Sequence, residues 1–97
     1  MSTHWSKPAA LRVLEALRGF GGRATSLELT LRTRSVAVHS DIHSLRCWLR
    51  EECDGFSGED VETLTPNMSD GRRVYTYRLS KRLMMSDVGR ERVSSGA

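Results

Sequence analysis

The stretch "SVAVHSDIHSLRCWLREE", Ser35 to Glu52, decides how the chain folds. Val38, Ile42, Leu45 and Leu49 recur at i, i+4, i+7 and i+11, the period of an amphipathic helix with one face committed to a core. Trp48 sits at the edge of that stripe, and Ser35 is placed to cap the helix N-terminus. At roughly 100° per residue, the opposite face collects Val36, Ser40, His43 and Cys47, flanked by His39, Arg46 and Arg50. Such a face suits either a metal or a polar surface that reads nucleic acid.

The metal reading meets a geometric limit. His39, His43 and Cys47 follow one another at intervals of four, so the outer two lie roughly 12 Å apart along a helix axis. Ligands of one zinc ion lie within about 5 Å of each other. At best a pair, His39 with His43 or His43 with Cys47, would need partners such as His4 or Cys53, and no recognisable spacing supplies them. No metal and no cofactor are therefore expected, and a metal-responsive regulator is the third-ranked reading. An enzyme is not expected either, because no glycine-rich phosphate loop, H-E-x-x-H or nucleophile elbow is present.

A chain of 97 residues holds one modest core and has no room for a catalytic domain beside a binding domain. No apolar run approaches the roughly 20 residues of a membrane span, and "MSTHWSKPAA" lacks the apolar stretch of a secretory leader. The expected location is the cytoplasm, without membrane association. Cys47 and Cys53 make no disulfide framework and are expected to be reduced.

The net charge of +3 hides a segregation. Six acids, Glu51, Glu52, Asp54, Glu59, Asp60 and Glu62, fall within residues 51–62 with no Lys or Arg among them, leaving the remainder at +9. Arg supplies 13 of the 15 basic residues, and its planar fork suits phosphate oxygens and guanine edges. An Arg-rich positive surface is the electrostatic footprint of a nucleic-acid binder.

Around the central helix the other elements fall into order. In "SKPAALRVLEALRGFGG", Ser6 can cap, Pro8 suits a first turn, and Ala10, Leu11, Leu14 and Leu17 form an apolar stripe ending before Gly19. Arg23 and Ala24 leave room for a very short strand. Thr25 and Glu28 then have the spacing of a capping box at the start of a short helix, with Leu27, Leu29 and Leu31 as its apolar supply. Beyond Gly55 and Gly58, "VETLT" and "VYTYRLS" are β-favourable runs separated by "PNMSDGRR", a hairpin whose turn signals are Pro66 and Asp70-Gly71. Tyr75, Tyr77 and Leu79 alternate onto one face of its second strand. Residues 1–6 read as a flexible N-terminus, 7–82 as the folded domain, and 83–97 as a partly disordered tail whose Leu83, Met84 and Met85 either cap the core or contribute to a dimer contact.

This α+β layout, three helices with a short strand and a C-terminal hairpin, resembles the winged helix-turn-helix. "VHSDIHSLRCW" resembles the reading-helix segment of the biotin operon repressor's DNA-binding domain, in its Val38, Ile42, Leu45-Arg46 and Trp48 positions. "GRRVYTYRLS" resembles its returning wing strand. The combination is also similar to small helix-turn-helix proteins of bacteriophages and prophages, over roughly residues 8–80. Arg34 departs from the pattern, standing where a glycine often sits.

The resemblance implies sequence-specific binding to double-stranded DNA by a small transcriptional regulator, a repressor or an excision accessory factor. Base edges would be met by Ser35, Val36, Ala37, His39, Ser40 and His43. Phosphates would be met by Arg32, Arg34 and Arg46, and by Arg72 and Arg73 of the wing. A lone winged helix covers few base pairs, so a homodimer or tandem sites are expected. Imidazoles on the reading face would strengthen binding in acid. The alternative is a winged-helix module that binds a host protein through the acidic segment 51–62 or the tail.

Overall fold

A computed structural model describes residues 5–69 and 72–89, an α+β arrangement of four helices and a three-stranded antiparallel sheet. The elements are α1 (Lys7–Gly19), β1 (Arg23–Thr25), α2 (Ser26–Thr33), α3 (Val38–Glu52), β2 (Val61–Ser69), β3 (Arg72–Leu79) and α4 (Lys81–Met84), with one 3-10 turn at Gly58–Asp60. The strand order is β1-β3-β2.

Local chemistry sets most helix starts. The Ser6 hydroxyl accepts from the Ala9 amide, and Pro8 stands in the first turn of α1. Both halves of the Thr25–Glu28 capping box form at α2, the Glu28 amide donating to the Thr25 hydroxyl and the Thr25 amide to the Glu28 carboxylate. Helix α3 starts otherwise than its sequence suggests. It begins at Val38, with Ala37 at the cap position and no side-chain cap, while the Ser35 hydroxyl accepts from the Ala37 amide. Ser35, Val36 and Ala37 therefore belong to the connection between α2 and α3, not to the helix.

The core unites Val13, Leu14 and Leu17 of α1, Leu29 of α2, Val38, Ile42, Leu45 and Leu49 of α3, and Val61, Tyr77 and Leu79 of the sheet. Trp48, at the edge of that stripe, is buried with them. In α2 only Leu29 is buried, and Leu27 and Leu31 stay exposed. Helical rotation turns residues two apart to different sides, so the strand-like spacing of the three leucines gave α2 a single core anchor.

Two boundaries differ from the expected ones. Strand β2 runs through Pro66 to Ser69 instead of ending before it, and the β2–β3 register shifts between Leu64 and Asn67. An edge strand with an irregular register tolerates a residue that lacks an N–H. The chain beyond residue 82 also belongs to the fold. Leu83 is fully buried in the core, Met84 and Val88 pack against it, and the Arg18 guanidinium donates to the Leu83 and Ser86 carbonyls at 3.2 Å. Gly89, at φ +82°, approaches so closely that a Cβ there would meet Leu11 and Leu14 at 3.1 Å and Trp48 at 3.2 Å. The packed domain thus reaches Gly89, and of the three tail residues Leu83 and Met84 cover the core while Met85 is exposed. Four consecutive residues, Lys81 to Met84, are too few for periodicity to announce a helix.

Candidate functional site

Two helices joined by a tight connection, with a strand pair beside the second, define the most polar exposed region around α3. The connection is held by hydroxyls. Thr33 donates to the Leu29 carbonyl at 2.7 Å and its oxygen accepts from the Ser35 amide, while Ser35 accepts from Ala37. Arg34 ends α2 at φ 60°, ψ 28°, a left-handed residue whose amide donates to Thr30. A side chain at that φ costs what glycine would not. We expect Arg34→Gly to raise stability by about 0.5–1 kcal/mol, read as an increased urea midpoint. An unchanged or lowered midpoint would show that the Arg34 side chain stabilises the turn by more than the strain.

The outer surface of this region carries Arg34, Val36, Ala37, His39, Ser40 and His43, all exposed, with Ser35 half-buried. Val36 is wholly solvent-exposed. Ala37 provides no side-chain cap, so the first α3 turn starts without a capping side-chain hydrogen bond, at the positive end of the helix dipole.

Several expected members of this face lie elsewhere. Cys47 is buried, with its sulfur 3.5 Å from His43 Nε2 and 3.8 Å from an Arg50 nitrogen. Asp41 is buried too, and its Oδ2 has no hydrogen-bond partner among the described residues. The sequence places Cys47 on the polar face, but α3 has more than one packed side, with α1 and the 3-10 turn both against it. Arg46 is occupied internally. Its guanidinium donates to the Val61 carbonyl at 2.9 and 3.1 Å and to the Thr63 hydroxyl at 2.6 Å, tying α3 to β2. Arg32 turns toward α1, its guanidinium 5.5 Å above the Phe20 ring, and lines a cleft with Arg12 and Glu15 away from His39 and His43. Arg72 and Arg73 open β3 opposite Ser69 and Met68. Their side chains, and the turn signal Asp70-Gly71, lie outside the described residues.

The structure adds two residues to the face. His39 Nδ1 is hydrogen-bonded to the Tyr77 hydroxyl, and its ring meets Tyr75 edge-on at 5.1 Å between centroids. Burial pushes the Tyr77 phenol up from its ordinary pKa, the Arg46 charge opposing and the Tyr75 charge adding to the rise, so the group stays O–H at neutral pH. The alternation of Tyr75 and Tyr77 was legible in the sequence, but which helical side chain would meet them was not.

The acidic segment is largely neutralised within the fold. Asp60 is buried and accepts from Ser80, from both sides of the Arg82 guanidinium and from the Ser57 amide. Glu62 pairs with Arg78, Glu51 with Arg50 at 3.2 Å, and Glu52 with Lys7 at 4.0 Å. Only Asp54 and Glu59 have no ion pair among the described residues.

Burial raises the pKa of Cys53, the neighbouring Glu52 and Asp54 charges adding to the rise and Lys7 opposing it, which lowers the thiolate fraction of this side chain. Among the described residues no three His, Cys, Asp or Glu side chains are grouped to hold a metal ion. No helix among the described residues is long and apolar enough to cross a membrane. Comparison of the chain with protein families, curated proteins and solved structures returns no match.

Proposed function

We propose that this chain is a winged helix-turn-helix protein that binds double-stranded DNA, and that it acts as a small regulator of phage or prophage type. The observation that carries this reading is the contact of His39 with Tyr75 and Tyr77. It makes the outer face of α3 and the β2–β3 hairpin one surface, the relation in which a reading helix and its wing engage a groove and the adjoining backbone.

On that surface Ser40 and His43 offer hydrogen-bonding groups to base edges and Val36 offers an apolar contact to a thymine methyl. The uncapped first turn of α3 and Arg34 would hold phosphate. Arg72 and Arg73 open the strand of the wing and supply its charge. Arg46 is assigned to hold the wing strand against the reading helix, and Arg32 to the α1–α2 groove.

Anisotropy titration of mixed-sequence duplex DNA tests the reading. With about four phosphates neutralised, affinity should fall roughly 100-fold between about 50 and 200 mM salt. Arg72→Ala and Arg73→Ala should weaken binding to all sequences, while Ser40→Ala and His43→Ala should relax discrimination between them. No binding to duplex at low salt would end this reading. A protein partner is the second reading, favoured by Leu27 and Leu31, exposed one turn apart on α2. It predicts that Leu27→Glu with Leu31→Glu leaves DNA affinity alone and abolishes self-association or partner binding in sedimentation.

A further inference from the structure

We infer that Tyr77 is a positioning residue for base reading: its phenol donates to His39 Nδ1, so the neutral imidazole keeps its proton on Nε2 and presents a donor to the DNA. This rests on the DNA-binding reading above.

The direction of the hydrogen bond follows from what each group needs. The Tyr77 side chain is buried, and His39 is the one hydrogen-bond partner of its hydroxyl among the described residues. A buried O–H without an acceptor is costlier than an oxygen with an unfilled lone pair, so the phenol donates. The raised pKa of Tyr77 keeps that proton in place. A neutral imidazole that accepts at Nδ1 carries its hydrogen on Nε2. Tyr75, edge-on at 5.1 Å, and Tyr77, inclined at 5.9 Å, flank the ring. His39 as a residue remains exposed, and no partner is bound at Nε2 among the described residues.

The chemical consequence is a restricted choice of base. A free histidine can donate or accept at Nε2, and so tolerates either kind of edge. A ring locked as an Nε2–H donor favours guanine N7 and O6, adenine N7 or thymine O4, and disfavours the amino edge of cytosine. The hairpin thereby sets what the helix can read, through one hydroxyl that itself never touches DNA.

Two measurements on the 97-residue chain decide this. Two-bond proton–nitrogen spectra of the free protein at mildly alkaline pH should show His39 as the Nε2–H tautomer, and Tyr77→Phe should convert it to a mixture. An Nδ1–H tautomer in the parent, or an unaltered spectrum in Tyr77→Phe, overturns the hydrogen-bond direction whether or not DNA binds. Selection from random duplexes is then made with the parent, Tyr77→Phe, His39→Ala and the double variant, each normalised to a scrambled duplex. Tyr77→Phe should reduce the preference at one base pair about five- to ten-fold. His39→Ala should remove the same preference, and adding Tyr77→Phe to it should change nothing more. A preference unaltered by Tyr77→Phe, or a further loss in the double variant, overturns the positioning role. Absence of any duplex binding with an Nε2–H spectrum would instead remove the DNA reading on which the role depends.

Discussion

Leu83→Ala should destabilise the protein by about 2–4 kcal/mol, the range for deleting a fully buried leucine side chain from a core that cannot collapse around the loss. The side chain is fully buried against the same cluster that contains Leu14, Leu17 and Leu79. Its helix is closed by the Ser80 hydroxyl, which accepts from the Leu83 amide, and is tied to α1 by Arg18. Cutting the chain after Arg82 removes Leu83, Met84, Val88 and the Arg18 anchors together, and should leave no cooperative transition. Urea denaturation followed by tryptophan fluorescence measures both. A Leu83→Ala midpoint within error of the parent would mean that α4 is not part of the cooperative unit.

Asp60→Ala should cost about 2–3 kcal/mol, because it leaves the Ser57 amide and the Ser80 hydroxyl without their acceptor. The Arg82 contribution is discounted, since that side chain is 60% exposed against 6% for Asp60 and also rests 4.8 Å above the Phe56 ring. The carboxylate joins the 3-10 turn before β2 to the start of α4, so its loss loosens both ends of the hairpin. Burial alone would raise its pKa. The hydrogen bonds from Ser80, Arg82 and the Ser57 amide, with the Arg82 charge, outweigh burial and hold the carboxyl below its ordinary value. A depressed folded-state pKa gives stability that is complete above the unfolded aspartate value of about 3.9 and is lost as pH falls through the lower folded value. Thermal melts from neutral pH into this acid range should therefore show a decline that Asp60→Asn flattens. A parallel decline in the two proteins would assign acid sensitivity to other carboxylates.

How much of this was legible in the chain differs element by element. The α3 stripe was read correctly because four apolar residues at helical spacing have one way to face a core. The Thr25–Glu28 box was read correctly because its bonds are local. The face around His39 was legible as a surface but not as a site. Nothing in "VHSDIHSLRCWL" says that Cys47 and Asp41 will be buried, or that His39 will meet a tyrosine 38 residues away. Arg46 and Arg32 show the same limit. An arginine's reach spans several alternatives, and whether it finds a phosphate, a carbonyl or an aromatic ring depends on what the fold places nearby.

By itself the sequence determined the α+β class, the order of elements from α1 to β3, the capped start of α2 and the apolar stripe of α3, all of which depend on residues a few positions apart. Only the tertiary structure decided that α4 completes the core, that four of the six carboxylates in the acidic segment are paired within the fold, and that the Tyr77 hydroxyl meets His39. Those outcomes depend on which elements pack together, a matter of shape and burial over long separations that no local spacing encodes.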